Sequence, residues 1–400
     1  MLTGIFGIER LQMAEDVVQE ALVRALQTWP YEGVPKNPAA WLTQTAKHLA
    51  LDLIRREKRF SEKQPEITAT IEQRFTDSGP GEAALFEDEI KDGRLRLMFA
   101  CCHPVLPPEA QTALALKTLC GFSPAEIAKA FLTTEAAVAK RLTRARQSIQ
   151  EQHIPFEIPS GPELAPRLDA VLQTIYLLFN EGYKASSGES LVREELCAEA
   201  IRLGLALVEH SSSNQPRTHA LLSLMLLNAA RIPARTDREG NILRLQEQDR
   251  RTWDHTLIGL GIRHLSLAAS GEELGEYHLQ AGIAACHCLA RDYASTDWKT
   301  ILTYYEQWMQ FSDSPVVALN RAVALSYVEG PDAGIAAVEA IQNRKPLDSY
   351  YLTHAVLGDF EVQRHRLAAA AVHFRRALEL TESKSEQTFL SKRLRECEAG

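Results

Sequence analysis

The chain has 400 residues, of which 45% are hydrophobic and 24% are charged. This is the composition of an ordinary globular protein, and at ~100–200 residues per domain it predicts roughly two to four domains. No run of about 18 or more apolar residues occurs, so the sequence predicts no membrane span. The N-terminus lacks the basic start and long apolar stretch of a signal peptide. The sequence therefore predicts a cytoplasmic protein.

The seven cysteines are an odd number, scattered singly apart from Cys101-Cys102 and the pair Cys286/Cys288. Reduced, buried thiols explain them better than a disulfide framework. Cysteine and histidine in Cys101-Cys102-His103 are metal-ligand types, but zinc sites usually leave about two to four residues between ligands. Packing and helix termination at Pro104 are therefore favoured, and neither a metal nor a cofactor is expected.

The net charge of −8 is unevenly distributed along the chain. Basic residues dominate 47–59 and 117–146, whereas 61–92 is strongly acidic. The negative net charge argues against a nucleic-acid partner, but DNA binding depends on the local charge of the contacting surface rather than on the net charge of the whole chain. The pattern predicts two basic modules joined by an acidic tether.

Apolar residues recur at spacings of three and four, and no convincing alternating run is present, which predicts an all-α fold. The stretch 61–91 has few large apolar residues and contains Ser78-Gly79-Pro80-Gly81, which is typical of a flexible linker. A second linker is expected at 154–166, which contains four prolines. The expected domains are 1–60, 92–153 and a large helical array at 167–400.

A helix-turn-helix is predicted at 121–150. Ser123 is suited to the N-cap and Pro124 to the first position of one helix. The chain turns at Leu132-Thr133, and Thr134 can cap a second helix. That helix has an apolar stripe opposite outward basic residues, the stripe being Val138, Leu142, Ala145 and Ile149.

In this motif the start of the second helix meets base edges in the major groove, and later basic residues contact phosphates. The candidate DNA-binding residues at the start of the helix are Thr134, Glu135, Ala136, Ala137 and Lys140. The candidate phosphate anchors are Arg141, Arg144 and Arg146. The alternative is a surface helix with solvated charges, because Leu132 stands where a turn glycine is common.

The other module, at 14–59, is predicted to contain two helices with apolar stripes. The stripes are Val18, Leu22, Ala25 and Trp29 on the first helix and Leu42, Ala46, Leu49 and Leu53 on the second. Polar side chains form a docking patch on the first helix (Glu15, Asp16, Gln19, Glu20) and a long stripe on the second (His48, Asp52, Arg55, Arg59). Taken alone, either patch is more often a solvated face than a binding site.

Together these segments resemble the sigma factors of bacterial RNA polymerase. Residues 14–22 look like the helix that binds the polymerase clamp, 40–56 like the helix that engages the −10 element, and 125–146 like the −35 module. The resemblance implies that core RNA polymerase and promoter DNA are the partners. It implies clamp contacts by Glu15, Asp16, Gln19 and Glu20, and −10 contacts by Lys47, His48, Arg55, Arg56 and Arg59.

Residues 92–104 and 179–188 are similar to stretches of extracytoplasmic-function sigma factors with a long tetratricopeptide-like C-terminal extension. In this subgroup the extension is thought to govern activity. Five residues near the C-terminus have the spacing of the tetratricopeptide sequence pattern: Leu357, Gly358, Ala370, Phe374 and Ala377. Counting back one repeat, ~34 residues, gives Val323, Ala324 and Ala336, which would form a degenerate earlier copy. A tetratricopeptide-like fold is therefore expected for 315–381, and irregular antiparallel helices remain the alternative for 167–314.

The beginning of the chain departs from the sigma pattern. Sigma domains of this kind carry another helix before the clamp-binding one, whereas only thirteen residues precede Ala14. A misplaced start or a truncation would account for this. Val17, Val18 and Ala21 are then expected to lack a packing partner, which would affect clamp binding.

The array at 167–400 shows no catalytic set, so enzymatic activity is not expected. Three clusters of polar residues interrupt the helical spacing of its apolar residues, at 180–188, 231–237 and 248–254. They are either loops between helices or a surface that contacts the sigma domains or binds an effector. Two other functions stay open. A helix-turn-helix regulator with an effector- or protein-binding array does not need the 14–59 module, and an interaction scaffold leaves both basic modules unexplained.

Overall fold

The computed structural model describes residues 11–60, 90–152, 154, 158–186, 191–342, 345–381 and 383–399; within them, side chains 11, 12, 15, 51, 54–60 and 346 are not described. The described part is helical and has an isolated β-bridge between Thr236 and Ile242 but no strand. This confirms the all-α fold. None of the described helices combines the length and apolarity needed to span a membrane. The acidic linker at 61–91 lies outside the described residues up to position 89.

The chain divides into two compact units, Met1–Val171 and Leu172–Gly400. The sequence predicted a division in the proline-rich segment 154–166, but the division falls after this segment. Ile154 and Leu164 in that segment are buried. The Arg167 guanidinium, just after it, donates a hydrogen bond to the Phe99 carbonyl at 3.1 Å. The described part of the segment therefore belongs to the N-terminal unit and is not a free linker.

The first two helices in the described part of the N-terminal unit pack together, α1 (Leu11–Glu32) and α2 (Pro38–Phe60). The buried centre of their contact consists of four alanines and a valine: Ala14, Val17, Ala21, Ala46 and Ala50. Met13, Leu42 and Leu49 pack around it. Trp29 and Trp41 close the end of the pair edge to face, with ring centroids 5.5 Å apart.

The register of this contact differs from the sequence prediction. Leu42 and Leu49 pack against the core as expected, but Val18 and Leu22 are more than one-third exposed and Leu26 is 76% exposed. Ala25 of the predicted stripe is buried as expected, and the buried face of α1 is the one that carries its alanines. Val17 and Ala21 pack against α2, so the expectation that they lack a partner is wrong, whereas Val18 does face outward.

Four further helices of the N-terminal unit pack around a second core: α3 (Gly93–Cys101), α4 (Pro108–Leu119), α5 (Pro124–Ala130) and α6 (Glu135–Glu151). Asp92 caps α3 by accepting hydrogen bonds from the amides of Arg94 and Leu95. Cys101 and Cys102 are buried at the end of this helix, and burial raises the pKa of the Cys101 thiol to about 12. These thiols pack in the core, as the sequence predicted.

The C-terminal unit is a succession of helices in which most elements contact the next one along the chain. The longer helices are α7 (Leu168–Tyr183), which starts just before the division, α8 (Glu194–Val208), α9 (Pro216–Ala229), α10 (His255–Ala268), α11 (Glu276–Leu289), α12 (Trp298–Trp308) and α13 (Pro315–Glu329). They are followed by α14 (Pro331–Glu339), α15 (Lys345–Asp348), α16 (Tyr351–Gln363), α17 (Leu367–Leu380) and α18 (Lys384–Ala399). Helix α9 is buried from Thr218 to Leu227; most of these side chains are apolar, and the buried Ser223 hydroxyl donates to the Gly261 carbonyl at 2.8 Å.

Two helix pairs recur near the end of the chain, α13 with α14 and α16 with α17. Their first members begin at Pro315 and Tyr351, 36 residues apart. At this spacing the buried residues correspond: Ala322 to Gly358, Gly334 to Ala370 and Val338 to Phe374. The shorter shift expected from the sequence is therefore wrong, since it pairs the buried Ala370 with the exposed Ala336.

Two glycines in the C-terminal unit predict opposite effects of the same substitution. A Cβ at Gly358 would lie 2.8 Å from the ring of Phe374, whereas a Cβ at Gly259 on α10 would meet nothing within 4 Å. Gly358→Ala should lower the free energy of unfolding by about 1–2 kcal/mol, because overpacking a filled core outweighs the gain in helix propensity. Gly259→Ala should raise it by about 0.5–1 kcal/mol. Calorimetric melting of the full chain measures both, and a stabilised Gly358→Ala protein would contradict the close packing.

Candidate nucleic-acid interface

Helices α5 and α6 form the helix-turn-helix, and the local sequence explains where each begins. Ser123 and Glu126 form a reciprocal capping box: the Ser123 amide donates to the Glu126 carboxylate at 2.7 Å, and the Glu126 amide donates to the Ser123 hydroxyl at 3.2 Å. Pro124 occupies the first turn. Thr134 accepts from the Ala137 amide at 3.3 Å and caps α6. These predicted helix starts are confirmed.

The turn between the two helices is left-handed at Leu132, with φ of 50°. The amide of Thr133 donates to the Ala128 carbonyl and the amide of Leu132 to the Lys129 carbonyl, which is the Schellman arrangement. Glycine normally takes this position, because a side chain in the left-handed region costs roughly 1–2 kcal/mol. Leu132 therefore adopts the backbone conformation that glycine usually has at this turn, and the conformation is strained. Its side chain is 70% exposed.

Helix α6 separates an apolar face from a polar one as predicted. The buried stripe is Val138, Leu142, Ala145 and Ile149. Thr134, Glu135, Ala136, Lys140 and Arg144 are exposed, while Ala137 and Arg146 are half-buried. The residues expected to meet DNA therefore share the accessible side of one helix, apart from these two.

Arg141 differs from the other expected phosphate anchors. Its guanidinium forms an ion pair with the Glu109 carboxylate of α4 and lies over the Phe131 ring, 5.3 Å from the centroid. The side chain is only 26% exposed. Arg141 therefore contacts α4 and the residue that ends α5, and Glu109 offsets part of its charge.

An open groove of about 800 Å³ runs between the start of α4 and α6. The basic side chains of Lys140, Arg141 and Arg144 line one wall, and Pro107, Pro108 and Glu109 line the other. Sequence reasoning missed Glu109, because a carboxylate in the first turn of a separate helix carries no local sign that it will face the second helix of the motif.

The polar patch of α1 is partly engaged within the chain. Asp16, Gln19 and Glu20 are exposed, and the Glu20 carboxylate accepts from Arg24 Nε at 3.2 Å, one turn along the helix. An exposed pair of this kind contributes little to stability. The side chain of Glu15 lies outside the described residues.

Helix α2 places part of its expected polar stripe on the surface. His48 and Asp52 are exposed and Lys47 is half-buried, while Gln44 Nε2 lies 3.4 Å from His48 Nε2. The backbone positions of Arg55, Arg56 and Arg59 continue the helix, but their side chains lie outside the described residues. The buried Ala46 and Ala50 on the opposite face orient the stripe away from α1.

The two modules match known families in the order in which they lie along the chain. Residues 8–60 match Sigma-70 region 2, and residues 96–149 match Sigma-70, region 4. Residues 167–269, in the C-terminal unit, match a Family of unknown function (DUF6596). The chain is therefore an RNA polymerase sigma factor of the sigma-70 family, similar to the extracytoplasmic-function type and carrying a C-terminal extension.

One relative is similar along most of both chains. The chain is 39% identical over 386 residues to uncharacterized protein R00370 of Rhizobium meliloti (strain 1021), an alignment that covers 96% of this chain and 90% of the relative. The chain belongs to the family that this relative represents. No solved structure matches it. The match to region 2 favours a sigma factor over a helix-turn-helix regulator of another class.

Removing the carboxylate of Glu109 should strengthen DNA binding. In Glu109→Gln, Arg141 loses its ionic partner and one negative charge leaves the groove, so the holoenzyme should bind promoter DNA more tightly at low salt. The slope of log affinity against log salt should steepen by up to about one unit, as one added phosphate contact does. Fluorescence anisotropy over a salt series measures this slope.

Glu151→Gln is the matched control, because Glu151 lies at the end of the same α6 helix and accepts a hydrogen bond from Gln147 rather than an arginine. An identical slope for Glu109→Gln and the parent protein would show that Arg141 does not reach DNA.

Proposed function

We propose that α1 binds the polymerase clamp, α2 engages the −10 element and α6 reads the −35 element. The observation that carries this proposal is the exposed polar side of α6, presented by a capped helix-turn-helix within a region 4 match. The polar surfaces of α1 and α2 lie within the region 2 match. In this proposal the protein acts in the cytoplasm, where RNA polymerase meets the promoter.

The proposal divides the residues of α6 by role. Thr134, Glu135, Ala136, Ala137 and Lys140 lie in the first turns and are assigned to base edges. Arg144 is exposed and is assigned to a phosphate. Arg146 is assigned to a phosphate as well, and Arg141 contributes only when its ion pair with Glu109 opens.

On α1, the proposal assigns Glu15, Asp16, Gln19 and Glu20 to the clamp. On α2, it assigns Lys47, His48, Arg55, Arg56 and Arg59 to −10 DNA. The support is that the described members of both sets lie on surfaces opposite the alanine contact that joins the helices. Attachment to polymerase and opening of the promoter would then use different helices of one hairpin.

Charge reversal on α1 tests the clamp assignment. Asp16→Lys/Glu20→Lys should abolish co-purification with core polymerase and promoter-dependent transcription in vitro, because two carboxylates on one exposed face become cations. The fold should be retained, since neither side chain enters the alanine core.

Two controls separate clamp binding from other effects. Arg24→Ala removes the ion pair with Glu20 but keeps both carboxylates, and Glu32→Lys changes an exposed charge at the end of the same helix. Both should bind polymerase normally. Undiminished binding by the charge-reversed protein would refute the clamp assignment.

We also infer that the extension is tetratricopeptide-like and regulates initiation, as in the subgroup that the sequence resembles. Two helix pairs that repeat at a fixed spacing, each with a glycine at its contact, support the first part. The size of the C-terminal unit supports the second, since a tether between domains would need far fewer residues.

A shortened chain tests the regulatory role. Cutting after Arg167, which precedes α7 and is held to Phe99 of the N-terminal unit, should give a fragment that binds core polymerase but loses most promoter-dependent transcription, because the extension would no longer support initiation. Circular dichroism and polymerase co-purification establish that the fragment is folded. Transcription at the full-length rate at every salt concentration would show that the extension does not regulate initiation directly.

A further inference from the structure

The three polar clusters of the C-terminal unit meet in the structure. The Arg235 guanidinium lies over the Tyr183 ring at 3.7 Å from the centroid and donates to the Tyr183 carbonyl, which joins the first and second clusters. The Asp254 amide donates to the Ala230 carbonyl at 2.9 Å, which joins the third cluster to the start of the second. Segments far apart in the sequence thus form one polar region.

Two arginines of this region share one aromatic ring. Arg231 and Arg250 lie over Trp253, with guanidinium carbons 5.5 Å and 4.6 Å from the ring centroid. Arg250 Nη1 also donates to the carbonyls of His287 and Ala290 at 2.6 Å and 2.7 Å, at the end of α11. Burial lowers the pKa of both Arg235 and Arg250, and the nearby charge of Arg231 lowers each further.

The positive charge of the region has little local compensation. Among the described residues, no carboxylate lies within ion-pair distance of Arg231, Arg235 or Arg250. The acidic side chains of these segments have other partners: Glu181 lies 3.8 Å from Arg193, Asp237 accepts from the Asn241 amide, Asp249 pairs with Arg251, and Asp254 caps α10. Asp292 acts on Arg250 only from a greater distance. The carbonyl groups at helix ends that accept hydrogen bonds from Arg235 and Arg250 carry partial negative charge and offset part of the positive charge.

Buried nitrogen atoms in the same place have no hydrogen-bond partner among the described residues. They belong to four neighbouring side chains and are Arg231 Nε, Arg250 Nη2, Trp253 Nε1 and His287 Nδ1. Burial, followed by the charges of Arg231 and Arg250, lowers the pKa of His287 to about 3, so its ring is neutral near pH 7. The nitrogens of Arg231, Arg250 and Trp253 are donors in any case, whereas Nδ1 of the neutral His287 ring donates in only one tautomer. A buried donor left unsatisfied costs about 1–3 kcal/mol, so three of them together point to an acceptor bound there.

We propose that this arginine–tryptophan cluster (Arg231, Arg235, Arg250, Trp253 and His287) binds a small phosphate-class oxyanion, either inorganic phosphate or a phosphate monoester. The guanidinium fork matches phosphate oxygens. A dianion neutralises more of three arginine charges than a single carboxylate does. The site lies in the C-terminal unit and does not depend on the regulatory role proposed for the extension.

Isothermal titration of the full-length chain with sodium phosphate at constant ionic strength tests the proposal. Arg231 is the residue to change, because the guanidiniums of Arg235 and Arg250 also hold helix ends. Phosphate should bind the parent protein, and Arg231→Ala should weaken binding at least tenfold. Arg231→Lys keeps the charge but loses the fork, and should bind more weakly than the parent. Arg251→Ala is the matched control, since Arg251 is 90% exposed and pairs with Asp249; its affinity should not change.

Other titrants decide the class of ligand. Sodium acetate should bind much more weakly than phosphate. Equal binding of acetate and phosphate, or equal affinity of the parent and Arg231→Lys, would overturn the proposal. Binding of a glutamate-rich peptide without a response to phosphate would overturn it in favour of an acidic protein segment. Circular dichroism of each variant separates loss of the site from loss of the fold.

Discussion

Close approach of helices through small residues is the constraint on which both units depend. Four alanines and one valine form the contact between α1 and α2, and Gly358 lets the Phe374 ring lie against the backbone of α16. Leu42 and Leu49 of α2 pack around this contact, whereas Val18, Leu22 and Leu26 of α1 face outward. The polar surfaces of α1 and α2, which are proposed to bind polymerase and −10 DNA, are therefore oriented largely by alanine positions.

The same constraint explains where the sequence predicted the fold well and where it did not. Helix type, helix starts and the α6 stripe were predicted, because caps and periodicity are local properties. The buried face of α1 was assigned to Val18, Leu22, Ala25 and Trp29. Ala25 is buried, but Val18 and Leu22 are not, because the contact follows the alanines rather than the larger apolar residues. The earlier copy of the helix pair was misplaced by two residues for a related reason: alanine at several neighbouring positions leaves the register open.

Charge was harder to interpret from sequence than packing. The helical spacing of the apolar residues predicted the basic face of α6. The ion pair of Arg141 with Glu109 joins separate helices, so no local sequence pattern indicates it. The contact between Arg235 and Tyr183 likewise joins residues that are 52 positions apart in the sequence. Sequence could place these side chains in polar clusters, but only the fold shows which charges are compensated and which are not.

Leu132 has a consequence for the mechanics of the helix-turn-helix. A glycine at this turn could adopt many backbone angles in the unfolded chain, whereas leucine has fewer conformations to lose on folding, so part of its strain is offset by a smaller loss of entropy. The residue that sets the angle between α5 and α6 is consequently stiff. The helix proposed to enter the major groove is held in a narrow range of orientations before DNA arrives, and DNA that does not fit this range has to deform in order to bind.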